Sequence, residues 1–221
     1  MSLLDFLHEY DQSLLIALGE HLRLVGIALL IAVAAGVPTG AWIARGEHRA
    51  GPVLLAANII QTIPSIALFG LMIPILAMVN HGIGFLPAVI ALILYAQLPV
   101  IRNTRVALRA IPPATLDAAR GLGMTERQIF LRVALPLAAP GIVAGIRIAA
   151  TMSIGVAAVA AYIGAGGLGI FIVRGIQTTW DMMTIAGAVG IALLTLVVEI
   201  ALGIVQRMLT PKGLRVRGGG R

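Results

Sequence analysis

Few residues in this chain are of types that do chemistry, and their spacing excludes most of it. His8-Glu9 has Gln12 where a second histidine would complete the zinc-protease pattern HExxH. His21, His48 and His81 fall, like His8, at predicted helix ends or in loops, and no serine–histidine pair is placed within a span. The chain has no cysteine, which excludes a disulfide scaffold and thiol chemistry. Gly164-Ala165-Gly166-Gly167-Leu168-Gly169 formally fits the dinucleotide fingerprint GxGxxG, but that pattern needs a preceding strand, and here it follows an Ala-rich apolar helix. No GxxxxGK[ST] loop is present to cradle a nucleotide phosphate. No catalytic residue and no metal ligand set is therefore assigned. What remains is a compact charged cassette, Asp117 to Pro136, and two charges, Arg147 and Glu199, deep in apolar runs.

The elements that hold these residues read as membrane spans. Only 11% of the residues are charged, where a soluble domain carries about 25%, and the mean hydropathy is +1.01. Uncharged windows of about 20 residues mark crossings. They predict an all-α polytopic membrane protein with five transmembrane helices at about 24–44, 53–79, 85–101, 138–163 and 183–205. The break between the second and third lies at Asn80-His81-Gly82-Ile83-Gly84, a polar glycine-containing turn. Residues 1–22 form an external segment, in which Leu3, Leu4, Phe6, Leu7, Tyr10, Leu14 and Leu15 recur at helical spacing, as in a helix lying in the interface or, equally, an extension packing on neighbouring spans. Residues 23–208 are the membrane domain, with a cytoplasmic segment at 112–136, and 209–221 are a basic tail near anionic headgroups.

Lys and Arg in the short loops set the orientation. With the N-terminus outside, the inside collects Arg45, Arg49, the cassette arginines Arg102, Arg105, Arg109, Arg120, Arg127 and Arg132, and the tail, while the outside keeps Arg23 and Arg174. The net charge of +7 is then explained by membrane topology, without nucleic acid. The early Asp5, Glu9 and Asp11 lack the basic start of a signal peptide.

Within the cassette, Pro112-Pro113 stops the preceding helix, and Thr115 is the expected N-cap of a new one, with Asp117 in its first turn. Ala118 and Ala119 offer a small face with Arg120 beside it, Gly121 and Gly123 end the helix, and Thr125-Glu126 start the next. The spacing Asp117-Ala118-Ala119, Gly123, then Val133-Ala134-Leu135-Pro136 resembles the EAA signature of bacterial ABC-importer permeases, with Asp for the usual Glu and Val for the usual Ile. Asn58-Ile59-Ile60-Gln61-Thr62-Ile63-Pro64-Ser65, Gly84-Phe85-Leu86-Pro87-Ala88, Leu98-Pro99-Val100-Ile101-Arg102-Asn103-Thr104, Gly145-Ile146-Arg147 and Ile163 to Gly169 are similar to the osmoprotectant branch. Methionine importers carry a related glycine segment.

The resemblance implies a type I ABC-importer permease (MetI-like) fold in the bacterial inner membrane, moving glycine betaine, choline or carnitine. It implies that Asp117, Ala118, Ala119, Arg120, Gly121, Gly123, Leu135 and Pro136 dock an ATP-binding subunit, which carries the ATP and Mg. It further implies an extracytoplasmic binding protein and a second permease, identical or not, with the conduit at their interface.

The intramembrane polar residues complete the expectations. Arg147 and Glu199 form an interhelical pair, because charges in hydrocarbon face the bundle and pair. Pro64 kinks the second span, and Gln61, Thr62, Pro64 and Ser65 line a translocation wall, with Tyr95 and Gln97 on the same route. Gly164, Gly166, Gly167 and Gly169 make a flexible turn at the outer mouth, and Trp180 takes an interfacial aromatic position. A proton-coupled secondary carrier using Glu199 is the rival reading, but such carriers often show inverted repeats, and none is visible here.

Overall fold

The computed structural model describes residues 8–210. Leu3, Leu4, Phe6, Leu7 and the basic tail from 211 onward lie outside the described residues. The first helix, α1 (Asp11–Ala44), is one continuous helix of 34 residues, about 51 Å long at 1.5 Å per residue. Of the two readings of residues 1–22, the separate interfacial helix is thus corrected and the extension holds: from Asp11 onward that segment is the first three turns of the membrane helix. Nothing between Gln12 and Leu24 breaks it, since Gly19 alone cannot. Only Pro38 interrupts the backbone ladder, one residue before Thr39, whose hydroxyl donates to the Ala35 carbonyl at 2.8 Å.

The predicted second span is two helices, α2 (Glu47–Thr62) and α3 (Ser65–Ala77), bent by 99° at the junction. Pro64 lacks an N–H and pushes Ile63 into extended backbone, with ψ 124° at Ile63 and 137° at Pro64. A proline kink was expected; a near right angle was not, because two consecutive extended residues turn the chain much further than one lost hydrogen bond.

Helix α4 (Phe85–Arg109) is the centre of the molecule and the most enclosed of the long helices. It extends two turns past the predicted boundary at 101, carrying Arg102, Arg105 and Arg109 out beyond the apolar zone. A short helix, α5 (Pro113–Gly121), and one turn, α6 (Glu126–Ile129), follow. A π-helical stretch at Phe130–Ala134 leads into α7 (Leu135–Val159). Leu135 donates to the Phe130 carbonyl, five residues back, so the wide turn accommodates Pro136, which has no N–H to offer. The helix that carries the fourth span therefore begins at Glu126, upstream of 138, and runs to Ile163.

After the glycine turn, α8 (Gly169–Gln177) is a short helix. It docks Phe171 and Val173 inward and leads to α9 (Asp181–Leu209). Among the described residues four helices are long and apolar enough to cross a bilayer, and the bent α2–α3 pair makes up to five. The apolar middle of α9 is almost wholly unburied, with Ile185, Val189, Leu193, Leu196 and Ile200 facing outward. That costs nothing against lipid tails, which are as apolar as leucine.

The core packs Leu24, Val25 and Ala28 of α1, Phe69 of α3, Leu92 and Tyr95 of α4, and Ile154 of α7. One close crossing is between α4 and α7. A β-carbon on Gly145 would lie 2.5 Å from the Asn103 β-carbon and 2.8 Å from the Pro99 carbonyl oxygen. Backbone is the obstacle, so Gly145→Ala should force the helices apart and destabilise the fold by about 1–3 kcal/mol. Thermal unfolding of the detergent-solubilised protein checks this; an unchanged midpoint would show that the crossing yields freely.

Candidate functional site

The cassette is built from its turn outward. Pro113 occupies the first position of α5, following Pro112, as suits a residue with fixed φ and no N–H. Thr115 is therefore not the cap, and Asp117 stands in the middle of the helix rather than in its first turn. Both corrections follow from Pro113 serving as the nucleus itself. The helix closes with a double hydrogen bond around Gly123: its N–H donates to the Arg120 carbonyl at 2.9 Å, and Met124 N–H donates to the Ala119 carbonyl at 3.2 Å. This is the Schellman closure, which requires a left-handed residue at that point, and Gly123 has φ +77°. Thr125 then caps α6, its hydroxyl accepting from Gln128 N–H at 3.3 Å while Gln128 Oε1 accepts from Thr125 N–H at 2.8 Å.

Arg120 staples the two helices. Its Nη1 donates to Asp117 Oδ1 at 2.8 Å and its Nε to Glu126 Oε1 at 2.9 Å. The Glu126 bond, then the Asp117 bond, raises the guanidinium pKa above its ordinary value. Ala119 is buried beneath the helix, whereas Ala118 faces out. Leu116 and Phe130 seat the cassette on Ile111 and Ala134, and Arg45 at the end of α1 lies 5.6 Å over the Phe130 ring. Leu135 and Pro136 are not on the exposed knob; they shape the root of α7. Leu122, unassigned from sequence, is 83% exposed at the tip of the turn. An isolated leucine between two glycines was the signal for it.

The six arginines do not form one docking rim. Arg102 donates to Asn58 Oδ1 at 3.2 Å. Arg105 donates to Glu47 Oε2 at 2.6 Å, and Arg109 pairs with Glu47 Oε1. Arg102 braces α4 against α2 through Asn58, and Arg105 and Arg109 do so through Glu47.

In the membrane zone, Arg147 pairs with Glu199 and also donates to Gln206 Oε1, joining α7 to α9. Gly203 leaves room beside the guanidinium, where a β-carbon would sit 3.6 Å from Arg147 Cζ.

The residues grouped as a path are partly separated. Tyr95, buried on α4, donates its hydroxyl to the Ile63 carbonyl at the α2–α3 break. It thus partners backbone beside a proline that donates nothing. Thr62 Oγ1 donates to the Ile59 carbonyl at 2.7 Å, Pro64 caps α3 and Ser65 begins it. Gln61 Nε2 reaches Met152 Sδ at 3.8 Å on α7. Gln97 turns instead toward α1, 3.5 Å from the Ala32 carbonyl, so it does not share a wall with Gln61. Tyr95→Phe should leave the Ile63 carbonyl unpaired and cost about 1–3 kcal/mol, read as a lowered thermal midpoint.

The glycine turn is not loose. Gly164, Gly166 and Gly167 have φ of +77°, +82° and +81°, Gly167 N–H donates to Glu20 Oε2 at 2.8 Å, and Gly169 packs directly on the Ala158 carbonyl. His21 is fully buried beside it rather than at a helix end, with Nε2 3.1 Å from the Ile154 carbonyl. Trp180 caps α9 and meets the Tyr10 ring edge-on at 5.8 Å. Among the described residues no group of three His, Cys, Asp or Glu could hold a metal ion.

The family described as "Binding-protein-dependent transport system inner membrane component" matches residues 36–213. The osmoprotectant import permease protein OsmW of Salmonella typhimurium is 51% identical over 196 residues, covering 89% of this chain and 91% of that protein. The carnitine transport permease protein OpuCB of Listeria monocytogenes is 39% identical over 220 residues, 99% of each chain. An inward-facing structure of the MetNI methionine ABC transporter superposes with a TM-score of 0.82 at 25% identity, covering 92% of this chain and 99% of that one. The helical architecture, the glycine-closed cassette at 113–123 and the match across 36–213 lead to one statement: this chain belongs to the inner-membrane components of binding-protein-dependent transport systems.

Proposed function

We propose that this chain is the permease subunit of an ATP-driven importer for osmoprotectants such as glycine betaine, choline or carnitine. The single observation that carries the cargo reading is the extent of similarity to osmoprotectant and carnitine permeases, 51% and 39% identity over most of the chain. The chain itself is a transport subunit. ATP and Mg bind on a separate ATP-binding subunit, a binding protein delivers cargo, and two permeases enclose the conduit. The N-terminus lies outside and the C-terminus inside, as the arginine-rich end at Arg45, Arg105 and Arg109 supports.

In this reading α5 is the coupling helix. Its exposed Ala118 permits close approach, Leu122 offers an apolar anchor, and the Arg120 staple with the Gly123 closure keeps it stiff. A stiff knob transmits displacement; a loose one would absorb it. Closure of two ATPase subunits would draw the two knobs together and, through the continuous helix from Glu126 to Ile163, tilt the bundle outward-open.

The test is uptake of labelled glycine betaine by cells stripped of their own osmoprotectant uptake and given this permease, its ATPase and its binding protein. Accumulation that choline or carnitine competes with, and methionine does not, is the expected result. Competition by methionine alone would move the cargo to amino acids, and uptake without the ATPase would identify a secondary carrier.

A further inference from the structure

We propose that Glu20 is a clasp that holds the glycine turn closed against α1, and that its release is the local opening event at this end of the permease. The inference rests on the transport reading only in making that opening part of the transport cycle.

Three observations converge. The Glu20 carboxylate accepts from Gly167 N–H at 2.8 Å across 147 residues of sequence, tying α1 to the segment between α7 and α8. A β-carbon at Gly166 would overlap that carboxylate, and one at Gly167 would lie 3.0 Å from His21 Nδ1. Glycine at 166 lets the acid lie against the turn, and glycine at 167 lets the turn lie against His21. Finally, the residues on either side of the contact are anchored elsewhere: Gly84 N–H donates to the Ile163 carbonyl at 2.7 Å, and Leu168 and Phe171 are in the core.

The segment from Gly164 to Gly167 is thus a bridge between two fixed points, with positive φ at three of its four residues. Glycine is the residue that changes φ at least cost, so the bridge can move once its side attachment is lost. Gly164 and Ala165 N–H donate back to the Ala161 and Ala160 carbonyls at 3.1 and 3.2 Å, so it is the Gly166–Gly167 end that is free to move; its hydrogen-bonded attachment to α1 is one charge-assisted bond from Glu20, whose other side is open at a small recess also lined by Ser13 and Arg174. His21 provides the rigid floor, fully buried and bound to the Ile154 carbonyl on α7. Glu20 is accordingly a positioning residue: it acts through the turn.

The chain contains no cysteine, so label read on the chain purified after reaction comes only from the introduced thiol. Ala165→Cys, buried in the turn, is labelled with a maleimide in permeabilised membranes holding the full chain, with Ser153→Cys in the α7 core as a second reporter. Glu20→Ala should raise the Ala165→Cys labelling rate about tenfold or more, the change that losing one hydrogen bond to a charged group produces in an opening equilibrium. Ser153→Cys should be unaffected. Glu20→Gln, which keeps an acceptor oxygen, should restore most of the protection. An unchanged rate at Ala165→Cys, or an equal rise at both reporters, would overturn the clasp, the second because it marks general loosening. Labelling needs neither cargo nor ATPase, so its failure leaves the transport reading to be judged by uptake alone.

Discussion

Gly123→Val will abolish copurification of the ATP-binding subunit and reduce uptake about tenfold or more, while Gly121→Ala, two residues away, will leave both intact. The two glycines look alike in sequence but stand in different backbones. Gly121 is the last helical residue, and alanine there is a better helix former by about 1 kcal/mol. Gly123 has φ +77° with open space around it. The penalty for valine is therefore conformational rather than steric contact with neighbours, about 1–3 kcal/mol for a residue held in the left-handed region. Since about 1.4 kcal/mol is a factor of ten, the chain would abandon the closure instead. The bonds to the Arg120 and Ala119 carbonyls would go, and Leu122 and Ala118 would lose their fixed presentation. Leu122→Asp extends the test: it keeps the backbone and removes only the apolar tip, so loss of ATPase binding there would assign the anchor directly. Retention of the complex in Gly123→Val would mean that the cassette is not the main dock.

Arg147→Leu is expected to be the most destabilising single change in the membrane zone. It leaves Glu199 and the Gln206 amide oxygen without their shared donor between α7 and α9. Removing one partner of a buried pair costs about 3–5 kcal/mol, whereas replacing both by apolar residues is often neutral. Both side chains are partly exposed, so the lower end of that range applies. The measurement is a double-mutant cycle on thermal midpoints with Arg147→Leu, Glu199→Leu and the double variant. Near-recovery of the double variant, with uptake retained, identifies the pair as a lock between two helices. If the double variant is stable but does not transport, the charges serve the path itself.

The contrast between these two sites shows how far the residues could be read directly. The cassette was legible because its signals are local: prolines before it, glycines after it, and a capping box one turn on all act within a few residues. The pairing of Arg147 with Glu199 was legible for a different reason, since a charge in hydrocarbon has few alternatives to another charge. The supporting residues were not legible. Glu47 binding Arg105 and Arg109, Glu20 reaching Gly167, and Tyr95 meeting the Ile63 carbonyl each join parts of the chain 32 or more residues apart. Nothing in the neighbourhood of any of them specifies its partner.

Sequence by itself determined the membrane class, the approximate spans, the glycine-closed knob and the break at Pro64, because burial in lipid and backbone stereochemistry are set by residue type and short-range order. Tertiary structure alone decided the 99° angle at that break, the continuity of α1 from Asp11, the separation of Gln97 from Gln61, and the burial of His21. Those outcomes depend on which helices cross closely enough to touch. Such crossings are fixed by shape between distant segments, as where Gly145 admits the backbone of α4 against α7.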